Sequence, residues 1–444
     1  MKKSFSFNPS RLLVLGFATL IFLGTVLLML PAATENGKGL PFLDALFTAT
    51  SATCVTGLVV VDTGTTFSYF GELIILTLIQ IGGLGFMTFA TFLFLLLGKR
   101  ISLRERLLLK EAINEVDTGG LVRLAKRILL FTFLFECAGA LLLSLRFSLE
   151  MPAGKAIYYG FFHSISNFNN AGFDIFGNYR SLTGYVDDPV VVLTVSSLIV
   201  IGGLGFMVVN DLYEFRKRRR LYLHTKVVLW MTAILVFGGT LLIFFTEFGN
   251  PDTMGPLSPL GKVLGALYQS VTTRTAGSNT LPIGNLRDST LFFMAICMMI
   301  GAGSGSTAGG IKVSTFSVLL AAVKSQFRRK GEVVMFGRSI EPGTILKALA
   351  VTFCGISVVI VVTMLLSITD PGYDFLMYLF EAASAFGTVG LTMGLTPALS
   401  TAGRIILILT MFIGRLGPLT IGIALTKRAE DTSVHYPKGN ILIG

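Results

Sequence analysis

The chain has few charged residues, few cysteines and few histidines. Of its 444 residues, 14% are Asp, Glu, Lys or Arg, whereas ordinary soluble domains carry about 25%. The four cysteines form no C-x-x-C pair and there are three histidines, so we expect neither a disulfide framework nor a zinc or haem site. With 52% hydrophobic residues the chain is too apolar for a disordered segment or a water-facing enzyme. The composition indicates a polytopic membrane protein.

Apolar runs of bilayer length occur along the whole chain. Eight runs are long enough to cross a membrane: 12–30, 70–97, 121–145, 189–212, 225–246, 288–324, 343–368 and 402–426. The first run is longer than the core of a signal peptide and is followed by Pro31, which favours a retained helix. Four shorter segments are expected to be re-entrant helices: 41–54, 153–168, 260–273 and 374–386. The sequence therefore predicts an all-α membrane protein.

Basic residues are concentrated on one predicted side of the membrane. Residues 1–11, 99–127, 211–226, 312–347 and 427–444 hold 27 of the 36 Lys and Arg but ten of the 25 Asp and Glu. Their net charge is +17, against −6 for the remainder of the chain. Because Lys and Arg accumulate in cytoplasmic loops, we predict a cell-membrane protein with both termini in the cytoplasm. The basic clusters at 216–220 and 328–330 are typical of topology signals and lipid contacts, not of nucleic-acid sites.

One unit recurs four times. The spans that return to the cytoplasm carry I-G-G-L-G-F-M at 81–87 and 201–207, I-G-A-G at 300–303 and I-G-R-L-G-P at 413–418. A polar stretch with one glycine closes each short segment, 24 to 30 residues before the first glycine of those motifs. We predict four M1–P–M2 repeats, with eight transmembrane helices and four re-entrant pore helices around a pseudo-fourfold pore. Their bounds are 1–98, 99–212, 213–330 and 331–444.

The four polar stretches are the predicted ion filter. Non-helical backbone is tolerated at membrane depth where protein buries it or water reaches it, and rings of carbonyls can replace the hydration shell of a cation. Glycine allows the backbone to turn its carbonyl inward and to approach its neighbours closely. For the glycines at 82, 83, 202 and 203, helix packing is an equally good interpretation. The predicted filter residues are Val55, Thr56, Gly57, Asn170, Ala171, Gly172, Thr275, Ala276, Gly277, Thr388, Val389 and Gly390.

These motifs resemble the Trk/Ktr/HKT superfamily of cation transporters, and most closely the membrane subunit of Ktr potassium-uptake systems. The resemblance covers almost the whole chain and is most specific in the four filter stretches, the I-G-G-L-G-F-M pair and G-A-G-S-G-S-T-A-G-G-I-K at 301–312. It implies K⁺ uptake, often stimulated by Na⁺. It also implies a homodimer on a cytosolic ring of RCK-type subunits, which bind the nucleotide. The filters carry one shared glycine per repeat, unlike the T-V-G-Y-G of potassium channels.

A glycine-rich stretch interrupts the third return span, and an arginine interrupts the fourth. Four glycines within eight residues disfavour a helix, by about 1 kcal/mol each. The stretch also fits G-x-G-x-x-A, but no strand precedes it, and a kinked helix is the simpler alternative. A charge at the position of Arg415 should face the bundle interior, where it either tethers helices or raises the barrier to cations. The family resemblance implies an intramembrane gate formed by Gly303, Ser304, Gly305, Ser306, Thr307, Ala308, Gly309, Gly310 and Arg415.

Several other polar residues lie in or near the predicted membrane region. We expect Arg274 to point away from the ion path and to brace its loop. Glu136 either contacts another helix or extends toward the membrane surface. Asn169 and Asn170 either line the filter mouth or cap the pore helix. Acidic residues near the outer ends of the pore segments either favour helix N-termini or concentrate cations; they are Asp44, Asp174 and Asp374.

The leading interpretation is a non-enzymatic K⁺-translocating subunit. It needs no covalent cofactor, with K⁺ as the filter ion and Na⁺ as a second candidate. The alternative within transport is the K⁺-binding subunit of an ATP-driven pump, which shares the fourfold plan but is longer. An intramembrane enzyme would need a nucleophile–base pair or paired carboxylates on facing helices. His163 and Ser164 are adjacent in sequence and would not face each other on a helix.

Overall fold

The computed structural model describes residues 9–85, 121–329 and 331–425, which are mostly helical. In chain order the helices are α1 (Pro9–Leu28), α2 (Phe42–Thr53), α3 (Thr63–Thr66), α4 (Tyr69–Leu84), α5 (Leu121–Phe147), α6 (Ala153–Phe168), α7 (Pro189–Leu204), α8 (Phe206–Arg218), α9 (Leu223–Glu247), α10 (Pro259–Thr272), α11 (Asp288–Met299), α12 (Val313–Phe327), α13 (Pro342–Thr369), α14 (Phe375–Gly387), α15 (Thr401–Leu416) and α16 (Pro418–Leu425). A short antiparallel pair, β1 (Val334–Met335) with β2 (Arg338–Ser339), joins α12 to α13.

Within the described ranges, α1, α5, α9 and α13 are each long and apolar enough to cross a bilayer. About a third of each is buried inside the protein, and large side chains such as Phe133 and Phe353 remain exposed on their outer faces, where lipid can cover them. The chain is therefore a multi-pass membrane protein with a mostly helical fold, as predicted. The end of the 70–97 run, most of the 99–127 loop, Lys330 and the C-terminal tail lie outside the described residues.

The short helices α2, α6, α10 and α14 form the centre of the bundle. Their C-terminal halves are almost completely buried, and Phe47, Phe162 and Phe386 are among the largest fully buried side chains. Each short helix forms a group with the long helix before it and one helix after it: α1, α2 and α4; α5, α6 and α7; α9, α10 and α11; α13, α14 and α15. The last helix of each group packs on the short helix of the next group: α4 on α6, α7 on α10 and α11 on α14. The last of them, α15, packs on α2. The bundle is thus a closed circle of four helix groups.

The helices α4, α7 and α15, which we call the return helices, each begin at a side-chain cap and end at a glycine. A side-chain oxygen caps each N-terminus, from Ser68, Asp188 and Ser400 respectively. Each helix ends at a glycine with φ of 81°, 97° or 85°, namely Gly85, Gly205 and Gly417. Only glycine adopts such dihedrals readily, so the last glycine of each I-G-x-L-G motif stops the helix.

Two of the predicted return spans are therefore not continuous helices. The 189–212 run consists of α7 and α8, which meet at an angle of 95° at Gly205. The 402–426 run is divided at Gly417 into α15 and α16. The third return span is interrupted as predicted, although its non-helical part covers residues 300–312 and is longer than the expected 303–310. We call this segment the break loop.

Candidate functional site

The four predicted filter stretches have the same backbone conformation. Each directly follows the C-terminus of a short helix, and its glycine has a positive φ: 91° at Gly57, 68° at Gly172, 83° at Gly277 and 95° at Gly390. The residue two positions earlier also has a positive φ, between 51° and 72°, although none of these four is glycine: Val55, Asn170, Thr275 and Thr388. We call residues 55–57, 170–172, 275–277 and 388–390 the glycine loops.

The glycine loops touch one another in a ring. A Cβ atom added to Gly57 would overlap the carbonyl oxygen of Ala171, and one added to Gly172 would overlap that of Ala276. In the same way, Gly277 faces the Val389 carbonyl, and Gly390 closes the ring on Thr56. All twelve residues predicted for the filter therefore lie in one continuous ring. No side chain larger than hydrogen fits at the four glycines without moving a neighbouring backbone.

Backbone amides hold each loop to the helix that precedes it. The amides of Thr56, Ala171 and Val389 each donate a hydrogen bond of 2.8 Å to the carbonyl of a serine five residues earlier. The amides of Gly57 and Gly390 donate to the hydroxyl oxygens of Ser51 and Ser384, respectively, both at 3.1 Å. Within the described ranges, the carbonyl oxygens of the twelve loop residues accept no hydrogen bond. Nine of the twelve loop amides thus donate a hydrogen bond within the described ranges, whereas the carbonyls stay available to a ligand.

The break loop is bound to the return helices of the other groups. Gly303 donates to the Gly203 carbonyl at 2.8 Å, and Gly310 donates to the Gly414 carbonyl at 3.3 Å. The two ends of the loop meet in a parallel bridge in which the Gly301 amide is 2.8 Å from the Ile311 oxygen. A kinked helix is therefore excluded. The segment is an extended loop, and its contacts include the glycine loops, because Gly309 packs against the Thr388 side chain.

Arg415 connects the break loop to the first return helix. Its guanidinium donates to the carbonyls of Thr307 and Gly82, and lies 3.4 Å from the Gly83 carbonyl. These contacts agree with the tethering interpretation, and one of the tethered carbonyls, that of Thr307, lies in the predicted gate. Gly82 and Gly202 are packing positions, since a Cβ at either would overlap the carbonyl of Thr53 or Phe168.

Sequence analysis missed a second cation at the break loop. The Lys312 ammonium donates to the carbonyl of Ala308 at 2.5 Å and lies 3.4 Å from that of Gly309. Together, Arg415 and Lys312 engage three consecutive carbonyls, at residues 307–309. A lysine directly after a glycine-rich break in an apolar run was the available signal, because an unpaired charge at that depth would be costly.

The remaining polar residues have structural partners. Glu136 is buried and accepts from Gln80 at 3.2 Å and from Asn169 at 2.9 Å, so it is a helix–helix contact. Arg274 is also buried, with its guanidinium 3.5 Å from the Gly301 carbonyl in the break loop, and its bracing of the third glycine loop stays a prediction. Asn169 is the C-cap of α6, as one of the two interpretations had it, because its side-chain amide donates to the Ile165 carbonyl at 2.9 Å and also to Gln80 and Glu136.

The three acidic residues near the outer ends of the pore segments differ in their surroundings. Asp44, in the first turn of α2, forms an ion pair of 2.5 Å with Arg404. Asp374 stands at the N-terminus of α14 without a side-chain cap bond. Asp174 follows the second glycine loop, and burial raises the pKa of its carboxyl group to about 7. Burial therefore disfavours the charged form of the Asp174 carboxyl group.

Comparison with known proteins identifies the family of the chain that forms this ring. The family model TrkH, described as a cation transport protein, matches residues 9–436. The chain belongs to the TrkH family. Its members are named as cation transporters and not as enzymes, in agreement with the expected non-enzymatic role.

Individual relatives cover nearly the full chain. The Ktr system potassium uptake protein B of Bacillus subtilis is 46% identical, over 99% of this chain and 97% of the relative. The Ktr system potassium uptake protein B of Vibrio alginolyticus is 42% identical, over 98% and 94%. The crystal structure of the potassium transporter TrkH from Vibrio parahaemolyticus matches with a TM-score of 0.73 at 20% identity, covering 96% of this chain and 86% of that one. This TrkH-family chain therefore has the TrkH fold.

Proposed function

We propose that the chain is the pore-forming membrane subunit of a K⁺-uptake system. The observation that carries the proposal is the ring of glycine loops, in which twelve carbonyls have no hydrogen-bond partner among the described residues. Buried carbonyls need partners, and a partly dehydrated cation is a suitable one. The side chains of Thr56 and Thr388 add two buried hydroxyls that also have no partner in the described ranges. K⁺ is the proposed filter ion because the relatives are named for potassium uptake.

In this proposal the four helix groups are M1–P–M2 repeats, and the ion path runs through the ring to the break loop. The break loop, with Arg415, is the gate. In the observed position, an arginine and a lysine stand at the inner side of the predicted filter and disfavour cations by electrostatic repulsion. Release of the Thr307 carbonyl from Arg415 would free the middle of the loop and open the path.

The assembly and its regulation follow from the family resemblance. We expect a homodimer with both termini in the cytoplasm, where a ring of RCK-type subunits binds the nucleotide. The name "Ktr system" carried by two relatives supports a multi-component system. Stimulation by Na⁺ belongs to the same proposal. The pump-subunit alternative finds no support among these relatives.

Flux through the purified full chain in liposomes tests the proposal. Uptake of radiolabelled Rb⁺, a K⁺ substitute, is measured with internal Na⁺, external Na⁺ and membrane potential varied one at a time. We expect uptake that follows the potential and that excess K⁺ competes out, whereas excess choline does not. Growth of a K⁺-uptake-deficient bacterium on low K⁺, with and without the ring subunit, gives the cellular counterpart. Liposomes that hold folded protein yet take up no Rb⁺ under any of these conditions would contradict the proposal.

A further inference from the structure

We infer that Asn170 couples ion binding in the glycine loops to the docking of the break loop, so that a K⁺-occupied filter and a docked gate stabilise each other. The inference rests on the proposed function and adds a residue and a direction of coupling to it. Asn170 is a positioning residue, since its side chain acts through the loops that it contacts.

The Asn170 side chain contacts three segments of the site. Its amide nitrogen donates to the Arg274 carbonyl at 3.2 Å and to the Thr275 hydroxyl at 3.3 Å, and thereby joins the second and third glycine loops. Its amide oxygen accepts from the Thr307 hydroxyl at 3.3 Å, in the break loop. The side chain is completely buried, and so is that of Thr307. A single amide thus bridges two loops of the ring and the gate.

The orientation of this amide follows from its partners. The Arg274 carbonyl can only accept, so the nitrogen of Asn170 must face it and the oxygen must face Thr307. A Cβ added to Gly202 would lie 3.1 Å from that oxygen, so the space around the amide is filled. The corresponding positions in the other three loops are Val55, Thr275 and Thr388, none of which carries both a donor and an acceptor group of this reach. The link is therefore specific to the second loop.

Thr307 connects the Asn170 hydrogen bonds to the contact between Arg415 and the break loop. Its carbonyl is the acceptor of Arg415, while its hydroxyl is the donor to Asn170. Movement of the loop that separates Thr307 from Arg415 also takes the hydroxyl away from Asn170. The amide oxygen is then left without a partner in a buried site, and the brace between the second and third loops loses its fixed orientation. By linkage, an ion that requires the braced ring favours the docked loop.

The inference is tested by the K⁺ and Na⁺ affinities of the detergent-purified full chain, measured by isothermal titration calorimetry and by the ion-dependent rise in Tm. Thr307→Val keeps the side-chain shape and the backbone carbonyl but removes the hydroxyl. We expect it to weaken K⁺ binding relative to Na⁺ by about two- to tenfold, the effect of losing one hydrogen bond. Thr307→Ser restores the hydroxyl and should retain the wild-type affinity ratio.

Thr363→Val is the matched control. The buried Thr363 hydroxyl donates to the Val359 carbonyl within α13, outside the glycine loops and the break loop, so the affinity ratio should not change. Asn170→Gly removes the amide and suits a residue with φ of 59°. Because it also removes the bonds to the Arg274 carbonyl and the Thr275 hydroxyl, it should lower the ratio at least as much as Thr307→Val does, and the double variant should lower it no further than Asn170→Gly alone. Should Asn170→Gly fail to fold, the comparison of Thr307→Val with Thr307→Ser is sufficient to test the inference.

Reciprocity gives a second readout that a purely structural role would not change. In Ser306→Cys made in a Cys354→Ser background, we expect a maleimide to react more slowly in K⁺ than in Na⁺, because K⁺ holds the loop in place. The difference should disappear when Thr307→Val is added. Affinity ratios within the error of wild type in both Thr307→Val and Asn170→Gly would overturn the inference, as would K⁺ protection that persists in Thr307→Val. A wild-type chain that binds no K⁺ would instead contradict the proposed filter itself.

Discussion

Val55, Asn170, Thr275 and Thr388 have left-handed backbone dihedrals, which asparagine tolerates and β-branched residues avoid. Such a conformation costs about 1–2 kcal/mol for an ordinary residue, so the surrounding structure must impose it. The spacing of the glycines predicted the position of each loop. The positive φ two residues earlier was not predictable, because valine and threonine rarely occupy the left-handed position at a helix C-terminus, where the next amide donates to the carbonyl five residues before it.

The glycine loops need glycine for two separable reasons: the backbone dihedrals are left-handed, and a side chain would overlap a neighbouring backbone. Gly390→Ser tests the second reason. Gly390 and Gly394 have similar φ values, 95° and 92°, but only Gly390 faces another backbone, at Thr56. A Cβ at Gly394 would meet nothing within 4 Å, so Gly394→Ser is the matched control for backbone strain. We expect Gly390→Ser to lower K⁺ over Na⁺ selectivity in liposome flux at least tenfold, and Gly394→Ser to leave it within about twofold. Equal effects of the two substitutions would remove close packing as the reason.

Arg415→Ala should raise ion flux without unfolding the protein. The substitution removes a positive charge and the bonds to the Thr307 and Gly82 carbonyls, while Lys312 continues to hold residues 308 and 309. We expect an increase in the maximal rate of Rb⁺ uptake of about tenfold or more, and a smaller increase for Arg415→Lys. The measurement is liposome flux normalised to folded protein by gel filtration. Unchanged flux in folded Arg415→Ala would exclude the residue from the gate.

At the scale of elements, sequence patterns predicted where helices begin better than where they break. Ser68, Asp188 and Ser400 are ordinary N-cap residues, and the helices start directly after them. Gly205 lies inside an apolar run, and one glycine costs a helix only about 1 kcal/mol, so this position alone did not decide between a bend and a continuous span. At Gly417 a signal was present, because Pro418 follows and proline disfavours a helix at the residue before it. The break loop contains five glycines, four of them within eight residues, and there the expected interruption of the helix is observed.

The Arg404–Asp44 ion pair joins α15 to α2, where the last helix group meets the first. Both side chains are about one-fifth exposed, and their charged atoms lie 2.5 Å apart. We expect Asp44→Asn to lower the stability by about 1–3 kcal/mol, and the Tm in detergent by several degrees. Arg218→Gln is the control, because it removes a more exposed pair within one helix and should cost less than about 1 kcal/mol. A Tm in Asp44→Asn equal to that of wild type would show that packing alone joins the two groups.

At the scale of the molecule, four sequence repeats predicted a closed arrangement of loops, and the glycine loops do form a ring in chain order. The cross-connections between groups were not predictable. Arg415 reaches Gly82, in the copy of its motif that lies in the first group, and Asn169 reaches Gln80. Such long-range partners depend on how the groups are rotated against each other, and a single sequence carries no direct signal for that rotation.

Labelling of single cysteines tests the predicted orientation in the membrane. Lys38 and Arg219 are exposed, and the charge distribution predicts that they lie outside and inside the cell, respectively. In a Cys354→Ser background, an impermeant maleimide added to intact cells should label Lys38→Cys and leave Arg219→Cys unlabelled. Opening the cells should then expose Arg219→Cys, which serves as the control for reactivity. The reverse pattern would place the termini on the outer face.

The contact between the fourth glycine loop and the first has a consequence for biosynthesis. Gly390 packs on Thr56, and the partners of the nearby ion pair are 360 residues apart, so the first loop lacks one neighbour until nearly the whole polypeptide has left the ribosome. A stalled or prematurely terminated product cannot close the circle. An unfinished nascent chain therefore lacks the four-loop filter that we propose.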